Sequence, residues 1–174
     1  GTAQAGRVYK FVPALELVDG RDGEPYTPAD GTPNTTENPV GRFQIAADVG
    51  GAFFQEVTIE NAAATPVGVD AIELWASDDN TFEAGADTEL VSQSYADVST
   101  FSSLDQAIPP GGTYLFVVLD LNDSDLDVYE PFIADESSIG FTSGLLDAYN
   151  GTSTSTFTDA FLSTSVVALP VELA

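Results

Sequence analysis

Short apolar segments separated by turn-forming residues run along most of this chain, and this pattern constrains the fold more than any other feature. Val57 and Ile59 alternate with polar residues in EVTIEN, and Ile72 and Leu74 do the same in VDAIELWA. Successive side chains of a strand point to opposite faces of a sheet, so this alternation predicts strands with one buried face. The intervals are rich in Ser, Thr, Asp, Gly and Pro, which favour turns.

The sharpest turn signal is PPGG at residues 109–112, and the TYLFVVLDL segment that follows it is apolar at positions facing both ways. A strand with two apolar faces is expected in the interior of a sheet. The chain has roughly eight to ten strand-like segments and no convincing amphipathic helix. The sequence therefore predicts an all-β fold, an antiparallel β-sandwich of immunoglobulin-like or Greek-key type.

Cysteine, methionine and histidine are absent from the chain. This excludes disulfide bonds, thiol nucleophiles, imidazole bases and Cys/His zinc sites within it. Glycoside hydrolysis needs two suitably placed carboxylates, but nothing in the sequence singles out one pair among the 28 acidic residues. We therefore predict no catalytic residues and a protein that is not an enzyme.

The formal net charge is −24, with only four basic residues. Such a charge repels nucleic acid and anionic lipid, so neither is an expected partner. No apolar run approaches the roughly 18 residues of a membrane span, and the chain begins at Gly1 without an initiator methionine. We expect a processed, secreted protein located outside the cell or on its surface.

The positive charges are confined to one end, since Arg7, Lys10, Arg21 and Arg42 all precede residue 43. Residues 7–17 form an apolar, strand-like run interrupted by Pro13, and residues 19–39 are rich in Pro and Gly. The predicted organisation is an N-terminal arm and linker at 1–39, followed by a β-sandwich domain at 40–174.

Between about residues 41 and 173, several motifs follow one another in a recognisable order: GRFQIAAD, VTIEN, IELWASDDNTFEAGADTEL, FSSLDQAIPPGGTYLFVVLDL and ALPVEL. This order resembles a β-sandwich module of exported bacterial surface proteins, especially cargo of the type IX secretion system. The resemblance implies export and a non-catalytic module. In such cargo the last motif leads into a sorting region, whereas this sequence stops at Ala174.

An acidic loop offers the stronger of two candidate metal sites. Calcium prefers several carboxylate and carbonyl oxygens on a short flexible segment, which this loop has, although its spacing is not that of an EF-hand. Its candidate ligands are Asp78, Asp79, Asn80, Glu83 and Asp87. The alternative is a solvated turn, and it applies equally to a second cluster of Asp120, Asn122, Asp123, Asp125 and Asp127. No cofactor other than calcium is expected.

Three asparagines, Asn34, Asn122 and Asn150, precede Ser or Thr at the spacing of an N-glycosylation acceptor. Chance matches are the alternative, because the chain is rich in Ser and Thr.

The N-terminal arm carries the functional hypothesis. A strand-forming, basic segment tethered to an acidic sandwich can add to the sheet of a neighbouring subunit, and head-to-tail addition of this kind propagates. The predicted function is a structural subunit of a pilus-like extracellular filament or surface assembly, a homopolymer joined by strand donation. The predicted donor residues are Arg7, Val8, Tyr9, Lys10, Phe11, Val12, Leu15 and Leu17.

Two alternatives remain open at this level. The arm can fold back as a strand of its own sandwich, or residues 164–173 can act as the donor. An alternative function is a non-catalytic adhesion or glycan-binding module of a larger secreted protein, whose partners would be surface glycans.

Overall fold

A computed structural model describes residues 13–21, 23–122, 128–142 and 144–165, together with the backbone of 167–168. These residues form thirteen strands: β1 (Ala14–Val18), β2 (Asn38–Ala47), β3 (Ala52–Asn61), β4 (Val69–Ser77), β5 (Thr88–Ser94), β6 (Val98–Ile108), β7 (Thr113–Leu121), β8 (Val128–Tyr129), β9 (Pro131–Asp135), β10 (Ile139–Phe141), β11 (Leu145–Tyr149), β12 (Thr158–Phe161) and β13 (Val167–Ala168). Among the described residues the one helical element is a 3₁₀ turn at Glu136–Ser138, and none forms a helix that is long and apolar enough to cross a membrane.

Two sheets form a sandwich. The first has the order β11-β1-β2-β7-β4-β5, and every pair in it is antiparallel except β1 with β11. In the second sheet β3 pairs with β6 along one side and with β10 and β9 along the other, and β12 pairs with β9. A short pair, β8 with β13, lies apart from both. The predicted β-sandwich is confirmed.

The core lies between the sheets and follows the alternation seen in the sequence. Phe43 and Ile45 of β2 face Phe54 of β3 across the sandwich, and the rings of Phe43 and Phe54 are 6.3 Å apart in an edge-to-face arrangement. Val57 and Ile59 are buried while Glu56 between Phe54 and Val57 is exposed. Full burial of each such side chain contributes about 1.5–3 kcal/mol.

Strand β7 is central, as its two apolar faces predicted, and it is buried on both sides. Leu115, Val117 and Leu119 face the main core. Phe116 and Val118 point the other way and belong to a second cluster on the outer face of the first sheet. The preceding turn is closed by two glycines, and a Cβ at Gly112 would lie 2.3 Å from the Ile45 carbonyl oxygen, so no side chain fits there.

Strand β1 corrects part of the arm hypothesis. Leu15 and Leu17 are 1% and 0% exposed, and their strand pairs with β2 on one side and β11 on the other within the same molecule. The prediction that these two residues contact a neighbouring subunit is wrong, because their side chains fill the core of their own sandwich. The other predicted donor residues, Arg7 to Val12, lie outside the described residues.

The predicted boundary at residue 39 changes accordingly. Residues 14–18 belong to the sandwich rather than to a separate arm. Pro13 lies just before β1, so the proline does not remove a hydrogen bond from within the strand.

Candidate interaction site

The acidic loop predicted to bind calcium uses its carboxylates to hold its own turns. Asp79 accepts a hydrogen bond from the Thr81 amide at 2.8 Å, and Asp87 accepts one from the Glu83 amide at 2.7 Å. Four of the five predicted ligands, Asp78, Asp79, Glu83 and Asp87, line one small surface pocket of about 200 Å³. In the described part of the chain, no three acidic side chains are grouped so that they could hold a metal ion. Two of the five predicted ligands, Asp79 and Asp87, are therefore used in the turns of the loop, and this geometry favours the solvated turn over a calcium site.

In the second acidic cluster, the side chains of Asp120 and Asn122 also make hydrogen bonds within the molecule. Asp120 accepts a hydrogen bond from the Glu37 amide at 3.1 Å, and Asn122 donates its side-chain amide to Asp70 at 2.5 Å. Asp123, Asp125 and Asp127 lie outside the described residues.

The three candidate glycosylation sites differ in accessibility. Asn34 is exposed in a turn. The Asn122 amide nitrogen, which would carry a glycan, already donates to Asp70. Asn150 is half-buried, and its side-chain oxygen accepts a hydrogen bond from the Asp19 amide at 2.8 Å. Of the three, Asn34 has the surroundings that suit a glycan best.

Arg42 fastens the Pro/Gly-rich segment to the sandwich. It lies on β2 and is only 5% exposed. Its Nη1 donates to the Asn80 carbonyl oxygen at 2.7 Å, and its Nη2 donates to the Glu24 carbonyl oxygen at 3.1 Å. The guanidinium also lies over the rings of Tyr26 and Tyr114, at 5.3 and 5.4 Å from their centroids. One buried cation thus joins β2 to two separate loops.

The aromatic cluster beneath this clamp shields a carboxyl group. Phe82 packs edge-on against Trp75 at 5.4 Å, and Tyr26 packs edge-on against Phe116 at 5.8 Å. Burial raises the pKa of Tyr26 to about 12, although Arg42 acts in the opposite direction. Glu73 is 7% exposed and accepts a hydrogen bond from the Trp75 indole at 2.7 Å.

Burial raises the pKa of Glu73 above its usual range. The hydrogen bond from Trp75 opposes this shift, and the neighbouring charges of Asp120 and Glu89 add to it. The Glu73 carboxyl is thus buried beside the aromatic cluster and held by the indole of Trp75.

Arg21 is likewise engaged within the molecule. Its Nη2 lies 2.6 Å from a carboxylate oxygen of Glu130, and its guanidinium carbon stacks 3.7 Å from the centre of the Phe161 ring. Both cations in the described part of the chain therefore have internal partners. The remaining two cations of the sequence, Arg7 and Lys10, belong to the segment 1–12.

The strongest candidate for an interaction site is a groove where the two sheets meet at one edge. Strand β11 ends the first sheet, and β10 lies across from it in the second sheet. The groove has a volume of about 370 Å³. Its apolar lining is formed by Ile139, Phe141, Leu145 and Leu146, and Gly140 and Gly144 contribute no side chain. We call it the β10–β11 groove.

Acidic side chains surround this edge. Glu136 lines the β10–β11 groove itself. A second, shallower depression of about 330 Å³ crosses β11, β1 and β2, where Ala14, Ala46 and Ala148 are small residues. Its acidic lining residues are Glu16, Asp48 and Asp147. The edge therefore offers apolar surface with negative charge beside it, which suits an apolar, basic peptide.

Comparison with known proteins supports the fold but not a function. No protein-family model and no curated protein matches the chain. A solved structure described as Hadza microbial sialidase Hz136 is similar, with a TM-score of 0.51 and 12% sequence identity. The similarity covers 88% of this chain but only 31% of that chain. At this identity the likeness shows a shared β-rich fold alone.

Sequence reasoning missed both the Arg42 clamp and the β10–β11 groove. Arg42 could have been noticed as the one cation within the predicted sandwich domain at 40–174. The groove had no comparable signal, because its lining comes from strands of two different sheets.

Proposed function

We propose that this protein is a non-enzymatic structural subunit of an extracellular assembly, in which the N-terminal segment 1–12 of one copy binds the sandwich of another. The observation that carries this proposal is the separation of charge. Arg21 and Arg42 are satisfied internally, so Arg7 and Lys10 are the cations left to meet the acidic surface. Since Leu15 and Leu17 are buried in their own sandwich, the proposed donor is limited to the residues before β1.

Such a segment has the chemistry for strand addition. Residues 7–12 read RVYKFV, which combines two cations with β-branched and aromatic side chains. Backbone hydrogen bonds to a sheet edge would supply affinity, and opposite charge would favour contact between segment and sandwich over contact between two sandwiches. Because donor and acceptor are different surfaces, the contact is head-to-tail and can propagate into a filament.

The test compares three proteins by negative-stain microscopy and sedimentation: the full chain, a chain lacking residues 1–12, and an Arg7→Glu/Lys10→Glu variant. The truncation leaves β1 intact, so the sandwich should still fold. We expect uniform polymers from the full chain and monomers from both variants. Polymers that persist after the truncation would overturn the proposal.

A second candidate is an adhesion or glycan-binding module of a larger exported protein. One support is that the region of similarity makes up only 31% of the sialidase chain, so a fold of this kind occurs there as part of a longer protein. The other is the order of sequence motifs, which resembles modules of type IX secretion cargo. This function predicts a monomer at all concentrations and a signal on a glycan array. Polymers without glycan binding would argue against it.

A further inference from the structure

The β10–β11 groove lies beside two strands whose outer edges are not paired with another strand in the described residues. Tyr149, at the end of β11 away from Leu145, forms an isolated bridge with Thr152, and Ser155 contributes to the groove lining. Strand β11 pairs with β1, and β10 pairs with β3. An uncovered strand edge presents backbone donors and acceptors to any extended peptide that reaches it. The groove is therefore a place where a further strand can be added to the sandwich.

The side chains around the groove are unusually apolar for an open edge. Leu145 is 77% exposed, the highest value among the large hydrophobic residues of the described chain. Ile139 is nearly buried, and Phe141 and Leu146 pack against the main core, so the groove floor is continuous with that core. At Gly140 an added Cβ would make an ordinary contact of 3.5 Å with the Glu56 Cβ, so the absence of a side chain there is not forced by crowding.

We propose that the β10–β11 groove is the acceptor site for residues 7–12 of a second copy of this chain. The inference rests on the proposed function and adds the location of the contact. In an extended strand Val8 and Val12 lie on one face with Lys10 between them, and Tyr9 and Phe11 lie on the other face beside Arg7. Either face therefore offers two apolar side chains to the groove together with one cation. Arg7 and Lys10 supply charges that complement Glu136 and the acidic residues of β11 and its neighbours.

The direction of β1 favours a second copy over the same molecule. Pro13 reaches the groove edge, since its carbonyl oxygen lies 3.2 Å from where a Cβ of Gly144 would be. Strand β1 runs parallel to β11, with Ala14 opposite Leu145. A segment that continues the line of β1 backwards therefore leaves the end of the sheet. To lie along its own groove it would have to reverse direction at Pro13.

Disulfide trapping tests the location directly, because the chain contains no native cysteine. A Tyr9→Cys protein is mixed with a mass-tagged Leu145→Cys protein and oxidised with glutathione disulfide, and Phe11→Cys is used as a second donor position. Val98→Cys is the matched control, since Val98 is 58% exposed on strand β6, which has a strand partner on one side only in the described residues. We expect at least about tenfold more mixed dimer with Leu145→Cys than with Val98→Cys, because docking raises the local thiol concentration.

The other outcomes separate failure of the site from failure of the function. Polymers that cross-link equally well at Val98 and Leu145 would overturn the groove and leave the proposed function standing. A Tyr9→Cys/Leu145→Cys double variant that closes within one chain, without mixed dimers, would show docking in the same molecule and overturn the proposal. Absence of polymers from the unsubstituted chain would overturn both.

Discussion

At the scale of single residues, the outer face of the first sheet depends on two buried ionisable groups. Arg42 holds the Pro/Gly-rich segment and the loop at Asn80, and Glu73 accepts the indole hydrogen bond of Trp75. Both lie where alternation places solvent-facing residues. Polar groups in such positions are tolerated because each one has hydrogen-bond partners.

Replacing Arg42 with alanine should lower the free energy of unfolding by about 2–4 kcal/mol, because buried carbonyl groups lose their donor. Arg42→Lys should restore only part of this, since an ammonium group cannot bond several carbonyls and stack on two rings at once. Urea unfolding followed by the fluorescence of Trp75, the single tryptophan, measures both. Arg21→Ala removes the same charge from a side chain that is 35% exposed and should cost less. An equal loss for the two alanine variants would contradict the clamp.

Glu73→Gln should stabilise the protein at neutral pH. Since the pKa of Glu73 is raised in the folded state, its ionisation costs stability at pH values above that pKa. The cost diminishes as the pH falls through the folded-state pKa and is absent well below the ordinary value of 4.5. Glutamine keeps the acceptor for Trp75 without the charge.

Urea unfolding of Glu73→Gln at pH 7 and in mild acid measures this effect. Glu56→Gln is the control, because it makes the same change of charge at an exposed position on β3. The advantage of Glu73→Gln over Glu56→Gln should shrink as the pH is lowered. An advantage that is independent of pH would show that the burial of the Glu73 charge is not its cause.

At the scale of secondary structure elements, the main finding is that β1, which the sequence placed in the N-terminal arm, is a strand of the sandwich. It sits between β2 and β11, and its two leucines are fully buried. Strand β11 then becomes the edge of the sheet, and its exposed Leu145 borders the β10–β11 groove. Because β1 pairs within its own sandwich, residues 14–18 are not available to a neighbouring copy. The same pairing makes β11 the edge strand beside the β10–β11 groove.

Leu17→Ala should reduce the free energy of unfolding by about 2–5 kcal/mol, the usual cost of a large cavity in a packed core. Leu145→Ala, on the adjacent strand, should change it by no more than about 0.5 kcal/mol because the side chain is exposed. Chemical denaturation of the two variants gives the comparison. If Leu17→Ala proved as harmless as Leu145→Ala, β1 would not be an integral strand.

At the scale of the whole molecule, the net charge is the property that most affects folding stability and association. A charge of −24 on 174 residues creates self-repulsion that opposes the compact state. The described residues contain only two ion pairs to offset it, Arg21 with Glu130 and Arg42 with Glu24. Salt should therefore affect both folding and association.

Raising NaCl from about 0.01 to 0.5 M should increase Tm by about 3–10 °C, because screening relieves the repulsion. Differential scanning calorimetry measures the shift. At matched ionic strength, CaCl₂ and MgCl₂ should act alike, as expected for the turn geometry of the 78–87 loop. A stabilisation by calcium alone that is lost in Asp79→Asn would contradict that geometry and restore the calcium site.

The sequence by itself determined the strand periodicity, the central position of β7 and the turn at Gly112, because these depend on side-chain alternation and local backbone preferences. It also determined the charge asymmetry. Only the tertiary structure decided that β1 belongs to its own sandwich, that Arg42 is buried, and that a groove opens between β10 and β11. Pairing partners of a strand are chosen by contacts between distant parts of the chain, and these leave no periodic trace in the strand itself.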